Sequence, residues 1–171
     1  MNLRTLSLFA IASLAPAIGT QAAEVLLAPG VTSEGQNTAS IALGLDWEQR
    51  WFERDAGHLT GYWSFAYTWW EAGDLSGDQQ TVSVSPVFVY QFGGRWKPFL
   101  EIGLGAAYFT DDRVGDKKLG SRLHFEDRFG AGIRFSDRDS LRVRVIHYSN
   151  AGLEDPNQGI ESWSLVYARR F

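Results

Sequence analysis

At 171 residues the chain is long enough for one domain and too short for two cores of ordinary size. Its 16 Lys and Arg against 20 Asp and Glu give a formal charge of -4, which excludes the basic excess of a nucleic-acid binder, and the lack of Cys excludes a disulfide framework. Aromatic residues make up 14% of the chain, with seven Trp, and no long apolar helix accompanies them, so their place is in girdles at two membrane-water interfaces.

The N-terminus reads Met1-Asn2-Leu3-Arg4, then an apolar run from Leu6 to Ile18, then Gly19-Thr20-Gln21-Ala22-Ala23. A basic start, a short apolar stretch and small residues at a cleavage point are the layout of a secretory signal peptide. A retained membrane helix needs about 20 apolar residues, and nothing in the chain reaches that length. The expectation is cleavage after Ala22, with 1-22 as signal peptide and 23-171 as one exported domain.

From there apolar and polar residues alternate with a period of two, the mark of strands with one apolar face. Candidate strands fall at about 24-33, 38-51, 58-72, 80-92, 97-109, 121-136, 140-149 and 160-171. The second interleaves Ile41, Leu43, Leu45 and Trp47 with Ala42, Gly44, Asp46 and Glu48; the fifth sets Leu100, Ile102 and Leu104 against Glu101, Gly103 and Gly105. Links near 54-57, 93-95 and 136-139 are short, whereas 73-79, 110-120 and 150-159 are longer, as the periplasmic turns and outer loops of a membrane barrel are. The terminal Phe171 on an alternating strand is similar to the assembly signal of outer-membrane barrels, with Arg169 as a departure.

These features predict an all-β fold, an eight-stranded antiparallel transmembrane β-barrel of the bacterial outer membrane. A soluble barrel or sandwich alternates as well. It would leave Asp46, Glu48, Glu101, Glu126, Arg128, Arg134, Arg142 and Arg144 in water. A membrane barrel puts the same charges inside, where opposite signs must pair to offset desolvation.

The segment Leu141-Arg142-Val143-Arg144-Val145-Ile146-His147-Tyr148-Ser149 carries the sharpest chemical signal. Period two puts His147 and Ser149 on the face of the valines, toward lipid, a costly place for polar groups without a partner or a task. Glu161 shares a face with Trp163, Leu165 and Tyr167 on the last strand, and pairing across the 150-159 loop brings it beside His147. Hydroxyl, imidazole and carboxylate are the parts of nucleophilic acyl transfer: Ser149 attacks, His147 takes its proton and Glu161 holds the imidazole. The oxyanion needs donors, and Asn157, Asn150 or the backbone N-H groups of Gly152 and Gly159 are candidates, with Asn157 preferred. Polar residues that merely sit at a barrel rim are the competing explanation.

Other candidates carry less. His124, Glu126 and Arg128 share the inward parity and read as an interior network. His58 stands alone at a turn, and three scattered histidines without Cys make no metal site. Asp111-Asp112-Arg113 with Asp116-Lys117-Lys118 reads as a solvated loop whose bases could meet lipopolysaccharide phosphates.

The stretch from His147 to Leu153, continuing through Pro156-Asn157-Gln158-Gly159-Ile160-Glu161-Ser162, closely resembles the lipid A 3-O-deacylases of the PagL type. So do Leu59-Thr60-Gly61-Tyr62-Trp63, Pro86-Val87-Phe88-Val89-Tyr90, Arg113-Val114-Gly115-Asp116 and Phe125-Glu126-Asp127-Arg128. The resemblance implies hydrolysis of the ester-linked 3-hydroxyacyl chain at position 3 of lipid A in lipopolysaccharide. It sets the family's catalytic residues on His147, Ser149 and Glu161, its oxyanion-linked Asn positions on Asn150 and Asn157, and an activity-supporting position on Phe125. It also implies a homodimer that needs no cofactor, working among outer-membrane lipids. Two other readings compete: a non-catalytic structural or adhesion barrel, which needs no outward triad, and a phospholipase or acyltransferase, which would use the same one.

Overall fold

The computed structural model describes residues 22-171, so the expected signal peptide lies outside the described residues except for Ala22. The alternation resolves into eight long strands: β1 (Ala23-Thr32), β2 (Asn37-Asp46), β3 (Gly57-Trp70), β4 (Gln79-Phe92), β5 (Pro98-Phe109), β6 (Leu123-Arg134), β7 (Asp139-Ser149) and β8 (Ile160-Arg170). Each pairs antiparallel with its sequence neighbour, and β1 pairs with β8 in the register Leu26 to Ala168 and Gly30 to Ser164. That last ladder closes the sheet and leaves no free long edge, the condition for strands to lie in a bilayer.

Exposure along the strands is inside-out relative to a soluble protein. On β7, Val143 is 57% exposed while Arg142 and Arg144 are 2% and 3% exposed. The same inversion on β8 turns Trp163 and Leu165 outward and Ser162 and Ser164 inward. Lipid satisfies the apolar face and the lumen takes the charges. The soluble-barrel alternative is thereby excluded.

Inside, most charges are paired as burial demands, though the Nε of the buried Arg144 has no hydrogen-bond partner among the described residues. Arg142 donates to Glu101 at 2.6 Å, to Glu24 at 3.3 Å and to Ser140 Oγ at 3.1 Å, and the Tyr62 hydroxyl donates to Glu101 at 3.0 Å. A second group centres on Glu126, which accepts from Arg128, from Ser85 Oγ at 2.6 Å and from the Tyr148 hydroxyl at 3.2 Å. Toward the outer end the lumen turns apolar, and Trp70, Phe109, Tyr148 and Ile160 pack with Leu119 of the 110-122 connection. This plug fixes the base of the loops that carry the candidate site.

Two details depart from the sequence expectation. β2 stops at Asp46 rather than near 51, because Trp47 folds onto the bare backbone of Gly61, donating its N-H to the Gly61 carbonyl at 2.8 Å while its indole occupies the space a side chain there would need. The chain then forms the short strand Trp51-Arg54 against the start of β3. Glu48 is consequently exposed rather than luminal.

Candidate active site

β7 and β8 pair so that His147 faces Glu161 directly across the ladder. On the outer wall their side chains meet, with the imidazole Nδ1 2.8 Å from Glu161 Oε1 and the two side chains 41% and 39% exposed. An ionised carboxylate only accepts hydrogen bonds, so Nδ1 carries the proton and Nε2 is left with a free lone pair. The start of β8 is held in turn by the Ser33 N-H, which donates to the Glu161 carbonyl at 3.0 Å.

The next outward row contains Ser149, whose cross-strand neighbour on β6 is Phe125. In the row of the imidazole, Asp127 is the β6 neighbour of His147, so Asp127, His147 and Glu161 lie side by side on three adjacent strands. Below them an apolar groove of about 470 Å³ opens on the outer wall. Phe88, Ile102, Leu104, Phe129 and Val145 line it, Gly103 contributes to its wall, and Asp127 and His147 stand at its outer end.

The 150-159 loop joins β7 to β8 at this end of the site. Asn150 is 2% exposed and fully engaged. Its Nδ2 donates to the Leu119 carbonyl at 3.1 Å and the Glu154 carbonyl at 2.8 Å, and its Oδ1 accepts the Gly152 N-H at 2.9 Å. The Asn150 backbone N-H donates at 3.0 Å to Asn157 Oδ1. A backbone N-H can only donate, which fixes the carbonyl end of the Asn157 amide toward Asn150 and turns Nδ2 the other way. Gln158 Oε1 accepts the Lys118 N-H at 2.6 Å, tying this loop to the neighbouring one.

Gly159 has a function that its residue type alone did not disclose. Its φ is +64°, and a Cβ there would lie 2.9 Å from His147 Cε1 and 3.5 Å from Nε2. Only a glycine lets the backbone lie against that edge of the ring. Asp127 was also missed as an outward group, because the alternating signal of its segment was read for the inward His124, Glu126 and Arg128. Those three are luminal: His124 has Nε2 2.7 Å from the Ser121 carbonyl, and Glu126 pairs with Arg128. His58 lines a cavity at the opposite end of the barrel. In the 110-122 connection Asp116 accepts the Asp74 N-H at 2.5 Å and Gln36 Nε2 at 3.0 Å, while Lys117 pairs with Glu34 at 2.9 Å, so this loop is cross-braced rather than simply solvated.

The chain is 48% identical over 167 residues to the lipid A deacylase PagL of Pseudomonas aeruginosa, covering 97% of this chain and 96% of that one. It is 30% identical to the lipid A deacylase PagL of Bordetella bronchiseptica, covering 96% and 95%. A crystal structure of the outer membrane enzyme PagL superimposes with a TM-score of 0.84 at 50% identity, over 85% of this chain and 98% of that one. The Ail protein of Yersinia pestis, with a TM-score of 0.54 at 16% identity, shares the fold alone. The family model for lipid A 3-O-deacylase (PagL) matches residues 37-170, a span that contains the outward His147-Glu161 pair, Ser149 and the whole 150-159 loop, and the chain belongs to that family.

Proposed function

We propose that the protein hydrolyses the ester-linked 3-hydroxyacyl chain at position 3 of lipid A, with Ser149 as nucleophile, His147 as general base and Glu161 as the group that orients the imidazole and stabilises its charged form. The observation that carries this is the 2.8 Å contact between His147 and Glu161 on a wall otherwise given to lipid. A polar pair there costs free energy that packing does not return, so chemistry at the bilayer surface accounts for it better than structure does.

In the reaction the Ser149 hydroxyl attacks the ester carbonyl while its proton passes to His147 Nε2. Same-face neighbours on a strand lie about 7 Å apart at Cα, so a turn about the serine χ1 brings Oγ toward the ring. The negative charge that forms on the carbonyl oxygen is taken by Asn157 Nδ2, the side-chain donor that the local hydrogen bonding leaves uncommitted. Asn150 and Gly152, with their donors engaged, brace the loop instead of binding the oxyanion. Collapse expels the sugar oxygen, which takes the proton from His147. A water molecule, deprotonated by the same nitrogen, then attacks the acyl-Ser149 ester and releases the 3-hydroxy fatty acid.

The groove beside His147 receives the departing chain, and Asp127 at its outer end is placed to accept a hydrogen bond from the 3-hydroxyl. Phe125, across from Ser149, packs beside the nucleophile. The wall faces the outer leaflet, where lipid A resides, so the ester reaches the site without leaving the membrane. Mass spectrometry of lipid A from cells expressing wild type or Ser149→Ala tests this reading. Loss of one 3-hydroxyacyl group with wild type only is expected; loss with the variant as well sinks the mechanism, and phospholipid cleavage with intact lipid A sinks the substrate.

A further inference from the structure

At the periplasmic mouth, below the Arg142 network, the lumen holds a cavity of about 300 Å³ that the esterase chemistry does not use. We propose that it is a binding site for a phosphate-class oxyanion. Arg50, Lys97, Arg134 and Arg170 contribute to its wall, against the single carboxylate of Asp46. Arg170 pairs at 2.8 Å with Asp46, the carboxylate that lines the cavity. Lys97 reaches Asp137, whose side chain is 94% exposed, and Arg50 reaches Glu53 at 3.9 Å; exposed pairs of this kind hold their cations weakly.

Arg134 is the centre of the site. Its Nε donates to Gln91 Oε1 at 2.8 Å, while Gln91 Nε2 donates to the Lys97 and Pro98 carbonyls, so the guanidinium is aimed by a side chain that is itself pinned. The nearest carboxylate in an ion pair with it, Glu24, lies 4.0 Å away and already receives Arg142. Arg170 Nε is buried without a hydrogen-bond partner among the described residues. A walled cavity with more guanidinium donors than acceptors focuses a positive potential, and planar forks of N-H groups match the oxygens of a phosphate. Trp47, Tyr62 and Val89 leave an apolar side with room for a small organic group esterified to it. Free phosphate in the periplasm and the headgroup of an inner-leaflet phospholipid offer the same chemistry.

Titration calorimetry of the folded protein in non-ionic detergent, at constant ionic strength in chloride, tests the site with two probes, inorganic phosphate and glycerophosphoglycerol. Saturable one-site binding of at least one probe is expected, weakened about tenfold or more in Arg134→Gln. Tighter inorganic phosphate identifies the free anion as occupant, and a tighter diester identifies the headgroup. Lys97→Gln, at a half-exposed side chain, gives a second variant that spares the interior and is expected to weaken binding while lipid A deacylation stays at the wild-type rate. No saturable heat with either probe, or unchanged affinity in both variants, overturns the proposal whatever the outcome for the esterase.

Discussion

Replacing Glu161 by Gln keeps the size of the side chain beside His147 and removes its charge. In the proposed reaction the loss is felt when the ring becomes an imidazolium as Ser149 gives up its proton. With Nδ1 and Oε1 2.8 Å apart the charge centres are separated by about 4 Å, which corresponds to about 4 kcal/mol at an effective dielectric of 20 and about 1 kcal/mol in bulk water. Both side chains are about two-fifths exposed, which places the pair between those limits. The expected fall in kcat is therefore about fivefold to a thousandfold. KM should change little, because the interaction strengthens only in the transition state. The assay is initial-rate deacylation of purified lipid A in mixed micelles, with products quantified by mass spectrometry. A variant with kcat within about threefold of wild type, or one impaired in KM alone, refutes the role given to Glu161.

Asn157→Asp keeps an oxygen to accept the Asn150 N-H and removes the Nδ2 donor, so kcat is expected to fall by about a hundredfold to a thousandfold in the same assay with little change in stability. Asn150→Ala instead frees three loop hydrogen bonds, and its activity loss should come with faster proteolysis of the 150-159 loop. Gly159→Ala forces a side chain into a left-handed backbone and against His147 Cε1, so deacylation should fall while the circular dichroism of the barrel stays unchanged. Arg142→Ala leaves Glu24 and Glu101 buried without their shared cation, and urea unfolding should show a loss of about 3-5 kcal/mol. Export with cleavage after Ala22 predicts that N-terminal sequencing of the protein from outer membranes begins at Ala23.

Much of this architecture was legible because a period of two assigns faces without knowledge of register. Arg142 and Arg144 could be placed inside, and His147, Ser149 and Glu161 outside, from parity alone, while the pairing of His147 with Glu161 required in addition the β7-β8 register set across the 150-159 loop. Parity fails where the strand does: Glu48 continued the alternation, but Trp47 breaks β2 by packing on Gly61, a contact between positions that sequence cannot pair. The loop chemistry was hidden for a similar reason. Asn150 and Asn157 are the same residue type, and only the Leu119 carbonyl from the neighbouring connection and the Glu154 carbonyl within the loop show that one amide is engaged and the other is not. Asp127 was visible as a carboxylate, yet its place beside His147 depends on the β6-β7 register.

The most direct test of the central claim is to find the nucleophile covalently. Incubation of the folded protein with a long-chain alkyl fluorophosphonate, followed by peptide mass spectrometry, should place the adduct on Ser149 and abolish deacylation in proportion to labelling. His147→Ala should label far more slowly. An adduct on another serine that tracks the loss of activity, or full deacylation by protein labelled at Ser149, would contradict the account.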